Sequence, residues 1–272
     1  MNRLPAFSRR WVRRVVPPMI VLIGVLTVWE LAVRWWEVPA MVLPGPWLVG
    51  QAVVRHAQAL GFATLLTATA ASLGLLSSFV LGVAIAMIFS QAAVIRRSLF
   101  PYAIFLQTVP IVAIAPVIVI WLGEGLLAVV VIAAIVSLFP IITNVTEGLT
   151  SVPQSWQDLF RLNGATRWQT LWKLQVPSAL PNLVIGLKVA AGAAVLGTIV
   201  GEIFAGAGAR SPGLGYLIFS AKSQFKLDFL FAAVGCCTLL GIIFFSFVAW
   251  AGQRWLLNWQ EPKIHDDSTD DP

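Results

Sequence analysis

Few side chains in this chain are of a type that does chemistry, and their spacing excludes most of it. The two histidines, His56 and His265, fall in a loop and in an acidic tail, and the two cysteines, Cys236 and Cys237, are adjacent within an apolar run. Cysteines so placed read as buried structural residues rather than as a disulfide or a metal site. Neither H-E-x-x-H nor G-x-S-x-G occurs, so an intramembrane hydrolase has no nucleophile–base pair or metal cluster to work with. A phosphate-binding G-x-x-x-x-G-K-[ST] loop is missing too, and no Gly-Lys dipeptide occurs anywhere. What remains is one carboxylate, Glu202 in GTIVGEIFAG, and polar residues beside prolines: Gln107 and Thr108 before Pro110, Thr143 and Asn144 after Pro140. An ionisable residue in an apolar run faces a bundle interior or cavity, or sits near the headgroups with neighbouring helix ends as partners. The Pro-flanking groups either line a translocation cavity at broken helices or make interhelical hydrogen bonds. Glu30 reads as interhelical or interfacial.

The elements that must position these residues are written in the composition. Of 272 residues, 58% are hydrophobic and only 11% charged, against roughly 25% charged in a soluble domain. Long uncharged runs make this an all-α polytopic membrane protein, and the alternation of a membrane barrel is absent. Six segments are long enough to span, approximately 17–36, 64–90, 100–122, 125–146, 180–205 and 229–252. The third and fourth are separated only by GEG, which predicts a tight hairpin. Pro110, Pro116 and Pro140 are expected to kink or unwind their helices. Gly192, Gly197, Gly201 and Gly206 give the fifth helix a small-residue character suited to close approach at a bundle or dimer interface.

The net charge of +6 lies in short loops flanking apolar runs, which points to membrane topology rather than nucleic acid. With both termini inside, twelve Lys and Arg fall in inner segments and five in outer ones, so the orientation is N-in and C-in. Trp35, Trp36 and Trp121 then fall at outer ends, and Trp11, Trp250, Trp255 and Trp259 at inner ends, the headgroup level that indole prefers. The basic N-terminus runs into an apolar stretch with no small-x-small cleavage site, as in an uncleaved first helix. The chain thus divides into a basic inner N-terminus (1–16), one transmembrane domain (17–256) and an acidic tail (257–272) expected to be disordered.

One segment breaks the apolar pattern. NGATRWQTLWKLQVPSALP, Asn163 to Pro181, lies in the longest inner loop, about 147–179, between helices four and five. Ser151 with Gln154 and Thr166 with Gln169 fit the capping-box spacing, Gly164 is suited to a left-handed helix end, and Pro177 is expected to stop the second helix. Two short helices follow, roughly 152–162 and 167–175. Leu159 with Leu162, and Trp168 with Leu171 and Trp172, recur at helical spacing, with Asp158, Arg161, Arg167 and Lys173 around them. Such a pair either lies on the headgroups or docks a cytoplasmic partner.

This segment resembles the signature loop of permease subunits of binding-protein-dependent ABC importers. Asp158 takes the acidic position of that motif, Gly164 its glycine, and Leu174, Gln175, Val176 and Pro177 close it at the right distance; Leu159 and Phe160 stand where two alanines are usual. LQTVPIVAIAPVIVIWLGEG, GLKVAAGAAVLGTIVGEIFAG and GLGYLI look like the nitrate, sulfonate and taurine branch, so that the likeness covers about residues 20–255. The resemblance implies a type I importer permease fold and a second permease copy forming the pathway. It also implies cassette ATPase subunits that bind ATP and Mg, since this chain holds no cofactor of its own, and an extracytoplasmic solute-binding protein. The loop would be the coupling element, with Trp168, Leu171 and Trp172 as apolar anchors and Arg161, Arg167 and Lys173 pairing with acids at the rim. The GLGYLI segment would lie where the binding protein or the gate is. The implied solute is a small anion such as nitrate, sulfonate or taurine, or a pyrimidine precursor of thiamine, imported across a bacterial-type inner membrane. A secondary transporter driven by an ion gradient is the alternative; it would show more helices, internal repeats and paired intramembrane charges.

Overall fold

Helix is the sole regular structure among the described residues, as a chain with so little polar surface requires, since helices satisfy their own backbone in lipid. The computed structural model describes residues 6–91, 93–206 and 212–257. The acidic tail, Trp259, Lys263 and Arg210 therefore lie outside the described residues.

In chain order the elements are α1 (Ala6–Trp35), α2 (Pro46–Arg55), α3 (Ala57–Gln91), α4 (Ala93–Thr108), α5 (Ile111–Leu122) and α6 (Leu126–Thr150). After these come α7 (Gln154–Leu162), α8 (Arg167–Thr170), a π-helical turn (Leu171–Gln175), α9 (Val176–Ala205), α10 (Leu214–Ser223) and α11 (Leu227–Leu257). Five helices are long and apolar enough to cross a membrane: those spanning Val16–Trp35, Ala57–Gln91, Leu126–Thr150, Arg167–Ala205 and Leu227–Arg254. The expected third crossing is not one helix. It is divided into α4, of 16 residues, and α5, of 12, and at 1.5 Å per residue neither covers roughly 30 Å of hydrocarbon. The break is at Pro110, which caps α5 in an extended conformation and has no N–H to continue the ladder. Pro116 and Pro140, expected to kink or unwind their helices, do not unwind them: both are carried within α5 and α6. The GEG hairpin forms as expected, with Gly123 at φ 79° and Gly125 at φ 129°, both in the region that favours glycine.

The core is a three-helix slab in which α6 is clamped between α3 and α9. Ala133 of α6 is fully buried, and a Cβ placed on Gly74 of α3 would lie 2.6 Å from its Cβ. From the other side, a Cβ on Gly197 of α9 would lie 2.8 Å from the Ala133 Cα. Such approaches let backbones touch, which is how helices associate where lipid supplies no hydrophobic drive. Ser137 and Ser78, both buried, meet at 2.9 Å across the α3–α6 seam. The helix-five glycines thus serve the bundle at Gly197 and Gly201, while Gly192 is exposed with open space around its Cα. Cys237 is buried and Cys236 half-buried, both unpaired thiols on α11, as expected of structural residues.

Candidate coupling element

The loop between α6 and α9 folds as two helices joined by a tight corner. α7 ends in a Schellman turn: Ala165 N–H donates to the Phe160 carbonyl at 3.0 Å and Gly164 N–H to that of Arg161 at 3.0 Å, with Gly164 at φ 69°. Thr166 then opens α8 through a complete capping box. Gln169 N–H donates to Thr166 Oγ1 at 3.2 Å, and Thr166 N–H donates to Gln169 Oε1 at 2.9 Å. Thr166→Ala is expected to lower stability by about 1 kcal/mol, read as a small fall in the thermal unfolding midpoint; an unchanged midpoint would mean the box contributes nothing here. The other expected box does not form. Ser151 donates to the Gly148 carbonyl at 3.0 Å, and Pro153 takes the cap position of α7 without a side-chain bond.

Pro177 does not end the second helix, contrary to expectation. The helical run continues from Arg167 to Ala205 over 39 residues, passing through the π turn, where Val176 N–H reaches back to the Leu171 carbonyl. A proline ring clashes with the carbonyl four residues earlier; widening the preceding turn removes that clash without stopping the helix. α8 is thereby continuous with the membrane-crossing α9.

The three proposed anchors have different fates. Trp168 and Trp172 are 66% and 48% exposed, and their rings pack edge-to-face at 5.7 Å. Leu171 faces inward, 1% exposed, and packs in a cluster with Ala86, Val145, Leu149 and Leu183. It therefore cannot be a surface anchor; it ties the element to the bundle. Trp156, Leu159 and Leu162 extend the exposed apolar surface onto α7. Trp156 stands three residues before Leu159 and so continues the i, i+3 spacing of Leu159 and Leu162, a signal already legible in the sequence. Leu159, Phe160, Asn163, Ala165, Gln169 and Lys173 line a hollow of about 350 Å³ between α7 and α8. Asp158 and Arg161 form an exposed pair at 3.7 Å, while Arg167 and Lys173 are exposed on the second helix. Leu174, Val176 and Pro177 are half-buried in the π turn and the first turn of α9.

Among the polar residues considered for a pathway, Thr108, Thr143 and Asn144 make local hydrogen bonds. Gln107, Thr108 and Pro110 are exposed around the α4–α5 break, and the Thr108 hydroxyl donates back to the Phe105 carbonyl at 2.8 Å. Thr143 donates to the Phe139 carbonyl at 3.0 Å and Asn144 to that of Pro140 at 2.8 Å. Both bonds lie within α6 rather than between helices, as polar side chains in a helix often do. Glu202 takes something from each of its two readings, being buried in the bundle while one of its partners is a neighbouring helix end. It is 5% exposed, and its carboxylate accepts from the Thr67 hydroxyl at 2.8 Å and from the Gly215 N–H, at the start of α10, at 2.8 Å. Glu30 makes a like contact on α2, accepting from Trp47 N–H at 3.2 Å and pairing with Arg34 at 2.7 Å.

Five lipid-length helices, one of them continuous with a short helix that carries an exposed tryptophan pair, define the class: a polytopic membrane protein. Residues 78–257 match the family described as binding-protein-dependent transport system inner membrane component. The chain belongs to that family and is a permease of an ABC importer. It is 30% identical to a probable ABC transporter permease protein of Haemophilus influenzae, over 89% of this chain and 98% of that one. It is 33% identical to a formylaminopyrimidine transport permease of Halalkalibacterium halodurans, over 84% and 90%. The fold is similar to that of a chain in inward-facing structures of the MetNI methionine ABC transporter, with a TM-score of 0.64 at 18% identity, covering 76% of this chain and 99% of that one.

Proposed function

We propose that this chain passes the motion of a separate cassette ATPase into the membrane through the α7–α8 element. The observation that carries the reading is the pairing of exposed Trp168 and Trp172 on a helix continuous with α9. A rigid connection transmits displacement where a loop would absorb it, and exposed aromatic pairs are the usual anchors of an interface. Arg161, Arg167 and Lys173 supply rim charge that orients an acidic partner. ATP and Mg are bound by that partner, since this chain has no phosphate loop. A second permease copy completes the pathway, with Gln107, Thr108, Pro110, Thr143 and Asn144 as the lining to test, and an extracytoplasmic binding protein delivers the solute. The solute comes from the set carried by the branch; formylaminopyrimidine is the first to test, given the relative named above, before nitrate, sulfonates and taurine. The permease domain comprises 17–256.

The direct test is co-expression with a cassette ATPase from the same organism. A complex that co-elutes in detergent and hydrolyses ATP faster when binding protein is added supports the reading; an ATPase that elutes alone overturns it. Orientation has its own test. With both termini inside and α4–α5 crossing together as one broken helix, Leu162→Cys, at an 86% exposed site, stays unlabelled by impermeant maleimide in spheroplasts until they are lysed. Lys222→Cys on α10 labels without lysis. The reverse pattern inverts the topology.

A further inference from the structure

α10 begins in an apolar setting with no capping side chain of its own. Its N-cap residue is Gly213, yet the first N–H groups of any helix need acceptors, most of all away from water. Two other helices supply them. Leu214 N–H donates to Thr67 Oγ1 of α3 at 2.9 Å, and the Thr67 hydroxyl passes its own proton toward the Glu202 carboxylate of α9, 2.8 Å from Oε1 and 3.0 Å from Oε2. Gly215 N–H donates to Glu202 Oε2 at 2.8 Å. Thr67 is fully buried and Glu202 almost so. The carboxyl group also lies at the positive end of the ten-residue α10.

The glycines around this junction make room for it. A Cβ on Gly213 would collide with the Glu202 carboxylate, and one on Gly215 with the Ile199 carbonyl of α9. Gly213 itself has φ −82° and ψ −179°, extended backbone that any residue adopts. Glycine stands there for space alone. Glu30 and Gly45 repeat the arrangement on α2: the carboxylate meets the first turn of a short helix whose N-cap glycine leaves space for it.

Glu202 lies near the end of the same helical run that starts at Arg167. Over 39 residues that run is roughly 58 Å long, with the docking tryptophans at one end and the α10 junction at the other. We propose that Glu202 is a positioning residue that locks α10 to α9 and α3, so that α10 moves with the lever helix when the docking end is displaced. The lock itself is a matter of geometry; its use in transport rests on the coupling reading proposed above.

The test separates the two. In the full chain carrying Cys236→Ala and Cys237→Ala, spin labels at Lys222→Cys on α10 and Ile88→Cys on α3 report the distance between these helices in nanodiscs. The unmodified junction gives one narrow distance. Glu202→Ala and Gly213→Ala each broaden the distribution at least twofold, and combining them broadens it no further, because both remove the same contact. Glu202→Gln, which keeps an acceptor oxygen in the same shape, restores the narrow peak. Thr67→Val, nearly isosteric, broadens it even if the alanine variants fail to fold. A narrow distance in Glu202→Ala or Thr67→Val, or additive broadening in the double variant, overturns the lock. A second pair, Leu162→Cys with Ile88→Cys, is then followed in the complex with its ATPase under Mg-ATP and orthovanadate. Both pairs shift in the otherwise unmodified chain, and in Glu202→Ala only the Leu162 pair does. If α10 still follows in Glu202→Ala, the lock is not what carries the motion. If neither pair shifts with the junction intact, the coupling reading fails while the resting distances still decide the lock.

Discussion

Trp172→Asp is expected to weaken binding of the cassette ATPase by about 30-fold or more, the effect of losing an anchor of about 2 kcal/mol. The ring is half-exposed and makes its aromatic contact with Trp168, itself exposed, so the subunit loses little when it is replaced. The loss falls on the interface, where a carboxylate would be desolvated against an apolar surface. Titration of the ATPase onto nanodisc-held permease reads the affinity, and uptake in vesicles reads the coupling, which falls with it. Leu171→Ala, one residue away, should behave in the opposite way. Leu171 is buried in the cluster at the lever's base, so its truncation costs about 2–5 kcal/mol of stability while folded protein keeps its affinity. If Trp172→Asp binds as tightly as the unmodified chain, the docking surface is elsewhere.

Gly197→Val carries the second large effect, on the bundle itself. The new Cβ would lie 2.8 Å from the Ala133 Cα, 3.1 Å from Val136 Cγ2 and 3.2 Å from the Ile132 carbonyl. α6 cannot retreat, because Gly74 of α3 already lets Ala133 approach from behind. Overpacking of this kind costs about 1–3 kcal/mol or more, and here it separates backbones rather than bending a side chain. We expect a thermal midpoint lowered by several degrees and a fall in monodisperse protein. Gly192→Val is the matched control: the same helix and the same substitution, with nothing within 4 Å of the added Cβ. Equal midpoints for the two variants would refute the clamp.

These two cases mark how far the residues could be read along the chain. Membrane class, helix positions, the GEG hairpin, the Gly164 turn and the Thr166–Gln169 box depend on neighbours a few residues apart, so spacing and composition reveal them. Spacing also placed Trp168, Leu171 and Trp172 on one stripe, which the π turn and the burial of Leu171 then divided. Pro110 and Pro140 look alike in sequence; one breaks the chain into α4 and α5 and the other is absorbed within α6. Gly192 and Gly197 likewise look alike until α6 is placed beside one of them.

What the sequence by itself determined is therefore local: which stretches are apolar enough to span and where polar capping chemistry interrupts them. The tertiary structure alone decided the rest. It made α8 and α9 one continuous run, turned Leu171 inward, and gave Glu202 to the start of α10 through Thr67, a partner 135 residues away. The physical reason is that burial and hydrogen-bond partners are set by the packing of distant helices, and a buried carboxylate has its role decided by whichever donors the fold brings to it.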